Sequence, residues 1–200
     1  MVTNGSKGLF ACRGLCAVAL LVVACAFSVP GYAAETAVAP PLRAPDVRYE
    51  PTAAEVVQVM LRLGQVTASD VVFDLGCGDG RIVIAAARQT GARGVCVDID
   101  PQRIAESREN ARKEGVVARV EFRNEDLFTT DLKGATVIML FLWPELNLKL
   151  RPRLWRELPP GTRIVSHWHD MGDWPAQETV SVTNNGRTRN IYLWTVPEKQ

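Results

Sequence analysis

The stretch Val72-Phe73-Asp74-Leu75-Gly76-Cys77-Gly78-Asp79-Gly80 decides the fold of this chain. Val71, Val72 and Phe73 form a short apolar run suited to a strand. After the glycines, Ile82, Ala85 and Ala86 share one face of a helix predicted over residues 81–90, with Gly91 as its stop. Three glycines at alternate positions therefore sit where a strand turns into a helix, and the missing side chains let the backbone approach a ligand closely. The spacing departs from the G-x-G-x-x-G of dinucleotide-binding turns, because Arg81 stands where the third glycine would be. Asp79 also lies at the helix mouth, where a pyrophosphate would meet a carboxylate instead of a free positive end. The turn suits a ligand that lacks phosphate and carries positive charge.

Reading outward, residues 94–98 form a second strand ending in Asp98, whose carboxylate can accept hydrogen bonds from two ribose hydroxyls. Asp100 caps the next helix, with Pro101 at its first position, and the helix runs to Gly115. A third strand, 119–123, leads to Glu125-Asp126-Leu127, where a carboxylate can take an adenine amino group beside the Leu127 backbone. Acids thus mark three successive strand ends. Residues 136–142 are a fourth, central strand. Leu146, Leu150, Leu154 and Leu158 then recur every fourth residue on a helix that Pro152 is expected to kink or split. A fifth strand covers 162–167, and Asn184-Asn185-Gly186 joins strands 178–183 and 189–196 as a hairpin. Before all of these, Thr52-Ala53-Ala54-Glu55 has the form of a capping box opening the first helix. The class is α/β: a Rossmann-like, doubly wound, mainly parallel sheet with a C-terminal antiparallel hairpin.

Composition fits one folded domain, with 47% hydrophobic residues over 200 positions. A formal net charge of +1 gives no pull toward nucleic acid, and none is expected as partner. Residues 1–34 read as a leader: Lys7 and Arg13, an uncharged run over 15–29, then Gly31-Tyr32-Ala33 as a cleavage signal. The run is shorter than the roughly 20 residues of a comfortable span. A secretory signal peptide would place the domain in the cell envelope or periplasm. The same residues admit an uncleaved anchor, which would hold the domain near a membrane, or lipidation at Cys25. Residues 35–51, with four prolines, read as an extended linker, and 52–200 as the domain. Of the five cysteines only Cys77 and Cys96 fall in the domain, read as a small filler and a core residue. His167, His169, Asp170 and Asp173 lack a third ligand at convincing spacing, so no metal is expected, although the two histidines would share one side of a strand.

Four segments carry a resemblance: Tyr49-Glu50-Pro51-Thr52, DLGCGDGRIV over 74–83, FLWPELN over 141–147 and SHWHDMGDW over 166–174. With them the domain resembles the class I S-adenosylmethionine-dependent methyltransferases. More narrowly it resembles bacterial relatives of the lysine methyltransferases that modify the mitochondrial adenine nucleotide translocase and the ATP synthase c-subunit. The resemblance implies S-adenosylmethionine as cofactor, a sulfonium without phosphate. It implies that Asp74, Gly76, Gly78 and Gly80 form the cofactor loop, that Asp98 holds the ribose, and that Asp126 with Leu127 holds the adenine. Tyr49 and Thr52 would close over the methionine end. The acceptor would be a protein lysine, with a small molecule or lipid as the alternative. Phe141, Trp143 and Trp168 would line an apolar channel that lowers the amine pKa, and Glu145 would orient the amine. Because S-adenosylmethionine is made in the cytoplasm, an exported binding protein without turnover is a third reading of the same fold.

Overall fold

The computed structural model describes residues 42–198, so the leader expected over 1–34 and the first part of the expected linker lie outside the described residues. Helix α1 (Ala54–Leu63) is followed by β1 (Val71–Leu75), α2 (Arg81–Thr90), β2 (Arg93–Asp98) and α3 (Pro101–Lys113). After a short 3-10 turn come β3 (Val120–Asn124), β4 (Val137–Leu140), α4 (Pro144–Glu157), β5 (Arg163–His167), β6 (Glu178–Asn184) and β7 (Arg187–Thr195). The strands form one sheet in the order β3-β2-β1-β4-β5-β7-β6. β1 to β5 run parallel, and β7 runs antiparallel to both β5 and β6. The expected α/β architecture with its closing hairpin is therefore the observed one. Asn185 and Gly186 both take positive φ at the hairpin tip, the conformation a two-residue turn of that hand requires.

Strand alternation sorts the core. Val72, Cys96, Val137, Met139 and Val165 point toward α1, α2 and α3, packing against residues such as Met60 and Val83. Phe73, Leu75, Val95, Ile138, Leu140 and Ile164 point the other way, onto Leu150, Leu154, Leu158 and Trp194. Both faces are covered, as a parallel sheet demands. Between β1 and β4 the chain order reverses, so the C-terminal ends of these neighbours frame the crevice where such sheets bind ligands.

Three local expectations are corrected. The capping box does not form: Ala53 is the N-cap of α1 without a side-chain cap, and Thr52 Oγ1 lies 3.4 Å from His167 Nδ1. A buried partner across the domain outcompetes the local amide. Pro152 does not split α4, which is one helix from Pro144 to Glu157. One forfeited backbone bond is outweighed by burying Leu150, Leu154 and Leu158, each worth about 1.5–3 kcal/mol. Cys77 and Cys96 are not free thiols but a disulfide, with Cα atoms 5.3 Å apart. The parallel register sets Cys96 beside Asp74, and the turn after Leu75 brings Cys77 above it.

The described part of the linker, residues 42–51, forms no helix or strand, yet it packs on the domain. Arg43 pairs with Asp126 at 2.8 Å, Arg103 stacks over the Tyr49 ring, and Glu50 pairs with Arg189.

Candidate active site

The glycine loop is built by backbone bonds to its neighbour strand. Gly76 and Cys77 both donate to Val97 O (2.8 and 3.0 Å), and Gly80 donates to Cys77 O (2.9 Å). Gly78 donates to Asp98 Oδ2 at 2.8 Å, and Asp100 donates to Asp98 Oδ1 at 2.9 Å. Gly78 has φ +55, and a Cβ there would lie 2.3 Å from the Tyr49 ring. Only glycine admits this approach. Gly80 serves packing instead: its Cβ would meet Ser107 on α3 at 2.8 Å.

Above the loop lies a cavity of about 120 Å³ at the ends of β1, β2, β3 and β4. Tyr49, Gly76, Asp98, Asp126 and Leu127 line it together, as the motif reading expects, joined by Arg43, Ile99, Phe141 and Leu142. A recess of about 30 Å³ adjoins it, lined by Thr52, Asp74, Asp79 and Arg81, and sharing Tyr49, Gly76 and Phe141 with the cavity. Trp143 and Glu145 line neither space. Trp143 is 55% exposed at the start of α4, and Glu145 is exposed beside it.

Charge in this crevice is concentrated and acidic. Asp74 is 2% exposed, and its Oδ2 has no hydrogen-bond partner. Burial pushes its carboxyl well above the ordinary range, and the negative charges of Asp98 and Asp79 push it further. Burial also raises Asp98, opposed by the Asp100 and Gly78 amides. Asp79 binds Arg81 through two hydrogen bonds (2.9 and 2.6 Å), and although burial opposes it, this pairing holds Asp79 below its usual value. Arg81 also reaches Thr52 O at 2.8 Å, tying the recess to the strap over it. Asp126 is engaged from both sides, by Arg43 and by the Phe128 amide, which together overcome partial burial and keep it ionised.

These residues fit S-adenosylmethionine. An unpartnered buried carboxylate oxygen at the recess calls for an ammonium donor, and a carboxylate at the end of β2 calls for hydroxyls. Arg43 and Arg81 are unexpected members of the crevice. Arg81 stood next to the loop as a signal; Arg43 stood in a Pro-rich stretch with none.

The two histidines do not share a strand face. β5 ends at His167, and Trp168 takes φ +72, turning the chain. His167 is buried against Phe141, with ring centroids 4.1 Å apart, whereas His169 stacks on Trp168. Among the described residues no group of three His, Cys, Asp or Glu could hold a metal. Asn147 on α4 holds the loop after β5 through Ser166 Oγ, His169 O and Asp170 O.

A sheet of this strand order, with acids at three strand ends around a switch-point cavity and its adjoining recess, defines a class I methyltransferase. Within that class the chain belongs to the ANTKMT methyltransferase domain family, which matches residues 74–178. It is 39% identical to a protein-lysine N-methyltransferase of Saccharolobus islandicus (strain REY15A), over 77% of this chain and 96% of that protein. It is 33% identical to the adenine nucleotide translocase lysine N-methyltransferase of Mus musculus, over 74% of this chain and 63% of the mouse protein. Among solved structures it is similar to an RNA methyltransferase from Salinibacter ruber in complex with S-adenosyl-L-homocysteine. There the identity is 49% and the TM-score 0.71, covering 76% of this chain and 96% of that one.

Proposed function

We propose that this chain is an S-adenosylmethionine-dependent protein-lysine N-methyltransferase of the cell envelope. The observation that carries the cofactor is Asp74, a buried carboxylate with an unpartnered oxygen, facing the recess next to the loop that Asp98 braces. The lysine acceptor is supported by the Saccharolobus and mouse relatives. The envelope is supported by the leader-like sequence of residues 1–34 and by a disulfide, a bond that oxidising compartments favour. An anchored leader would bring the domain close to membrane proteins. Among the described residues no helix is long and apolar enough to cross a membrane.

When bound, the cofactor supplies an electrophilic methyl group on a sulfonium. Asp74 would accept hydrogen bonds from its ammonium, and Asp98 from its ribose hydroxyls, each Asp98 oxygen keeping a lone pair beyond the backbone amide it already binds. Leu127, Leu142 and Ile99 wall the cavity for a flat apolar ring. The strap from Arg43 to Thr52 covers this crevice and excludes water, so positioning supplies most of the rate. Phe141 keeps the reacting end apolar, which favours an uncharged amine over an ammonium.

The test is transfer of labelled methyl from S-adenosylmethionine by the full chain to a lysine peptide panel, with an RNA panel alongside. Label on peptide lysines that Asp98→Ala abolishes is the expected result. Label on RNA alone would overturn the lysine assignment while leaving the cofactor site standing.

A further inference from the structure

A second concavity, of about 390 Å³, opens between the start of α1 and the β6–β7 hairpin. Pro51, Ala53 and Val56 line one side and Val182 the other; Glu50 pairs with Arg189 at 3.2 Å, and Asn184, Asn185 and Arg187 form a polar rim that carries one further positive charge. His167 lines its inner end, being only 1% exposed. The groove adjoins the cofactor recess, sharing Glu50 and Pro51 with it, and Phe141, which lines the recess, packs at a tilt against the His167 ring. Thr52 also bridges the two spaces, lining the recess while its hydroxyl lies beside His167 Nδ1. The remaining imidazole nitrogen, Nε2, is buried and has no partner.

We propose that this groove takes the target amine and that His167 Nε2 accepts a hydrogen bond from it. The proposal rests on the methyltransferase reading above and deepens it to a residue and a route. With Nδ1–H directed at Thr52 Oγ1, Nε2 presents a lone pair and no proton, so it discriminates an amine from an alkyl chain. Burial, with Arg189 and His169 nearby, holds the imidazole pKa down to about 4, so it stays neutral and does not repel a basic group. It is equally too weak a base to deprotonate an ammonium. The amine sheds that proton to water and enters uncharged. Its N–H is held by His167, which leaves its lone pair to form the N–C bond. The C–S bonding pair returns to sulfur, and the proton of the new ammonium leaves through the groove to solvent.

The experiment needs no native substrate. Two adenosyl analogues with nitrogen in place of sulfur carry a two-carbon arm, one ending in an alkylamine and the other in an isosteric hydrocarbon. Calorimetry on the full chain measures both, with S-adenosylhomocysteine as reference. The amine arm should bind at least tenfold tighter than the hydrocarbon arm. His167→Phe keeps an aromatic ring against Phe141 and should erase that preference while leaving S-adenosylhomocysteine affinity unchanged. Ala53→Trp should close the groove with the same outcome, should His167→Phe fail to fold. In the wild type, the Nε2 nitrogen-15 resonance should shift on binding the amine arm only. A preference that survives both variants, or its absence in a wild type that binds S-adenosylhomocysteine, would overturn the proposal. No binding of S-adenosylhomocysteine at all would overturn the cofactor reading beneath it.

Discussion

Cys77, in the glycine loop, is bonded to Cys96, in the middle of β2, across 19 residues of sequence. The bond fastens the loop to the strand whose last residue, Asp98, also accepts the Gly78 amide. A loop of this length restricts the unfolded chain by about 3 kcal/mol on the chain-entropy account. Reduction of the full chain should therefore lower its unfolding free energy by roughly that amount in urea titrations. It should also weaken S-adenosylmethionine binding severalfold, because the loop is then tied to β2 by hydrogen bonds only, from Gly76 and Cys77 to Val97 O and from Gly78 to Asp98. Equal urea midpoints for oxidised and reduced protein would show that the bond restrains nothing.

Tyr49 and Gly78 make a second contact on which the site depends. A methyl group at residue 78 would collide with the Tyr49 ring and would also occupy positive φ. Gly78→Ala should cost about 1–3 kcal/mol of stability through strain. It should cut S-adenosylmethionine affinity at least tenfold by displacing the strap. Tyr49→Ala in the Gly78→Ala background should recover part of the stability, since it removes the obstacle but leaves the φ strain. A double variant no more stable than Gly78→Ala would show that the ring is not what the methyl group meets.

Asp74, buried, and Asp98, half-buried, are acids of one crevice, yet they are assigned to different ends of the cofactor. Asp74→Asn keeps the shape and removes the charge that an ammonium wants. It should lower affinity for S-adenosylmethionine about tenfold, a charged hydrogen bond of about 1.5–3 kcal/mol being partly replaced. Methylthioadenosine has the ribose but no amino acid, and its affinity should not change. Asp98→Ala should weaken both ligands. Calorimetry with the two compounds separates the roles, and equal losses for both ligands in Asp74→Asn would refute this division.

Much of this was legible in the sequence because it depends on local patterning. Alternating apolar runs gave each strand within a few residues, and Asp100-Pro101 opened α3 as expected, with Asp100 accepting from the Gln102 amide. Acids at three strand ends lie around the cavity and its adjoining recess because parallel strands deliver their C-terminal ends to the same edge. What stayed hidden depends on pairings distant in sequence. Thr52 looked like a cap because its partner, His167, comes 115 residues later. The two cysteines looked unrelated because only the β1–β2 register and the turn after Leu75 bring them together. Arg43 reaches Asp126 from a stretch without periodicity, where composition carries no information about docking.

His167 also makes stability depend on pH. Desolvation chiefly, with the charges of Arg189 and His169, lowers its pKa from the ordinary 6.5 to about 4 in the folded protein. Between those values the unfolded chain binds a proton at this residue that the folded chain refuses, so acid favours unfolding. The contribution is complete above pH 6.5, falls as pH drops, and is exhausted below about 4, amounting to at most about 3 kcal/mol. Unfolding free energies measured from pH 7.5 to 4 should therefore fall more steeply for the wild type than for His167→Gln, by up to one proton. Parallel slopes for the two proteins would mean that the imidazole is free to charge in the folded state, and with it the neutral acceptor role of Nε2 would be lost.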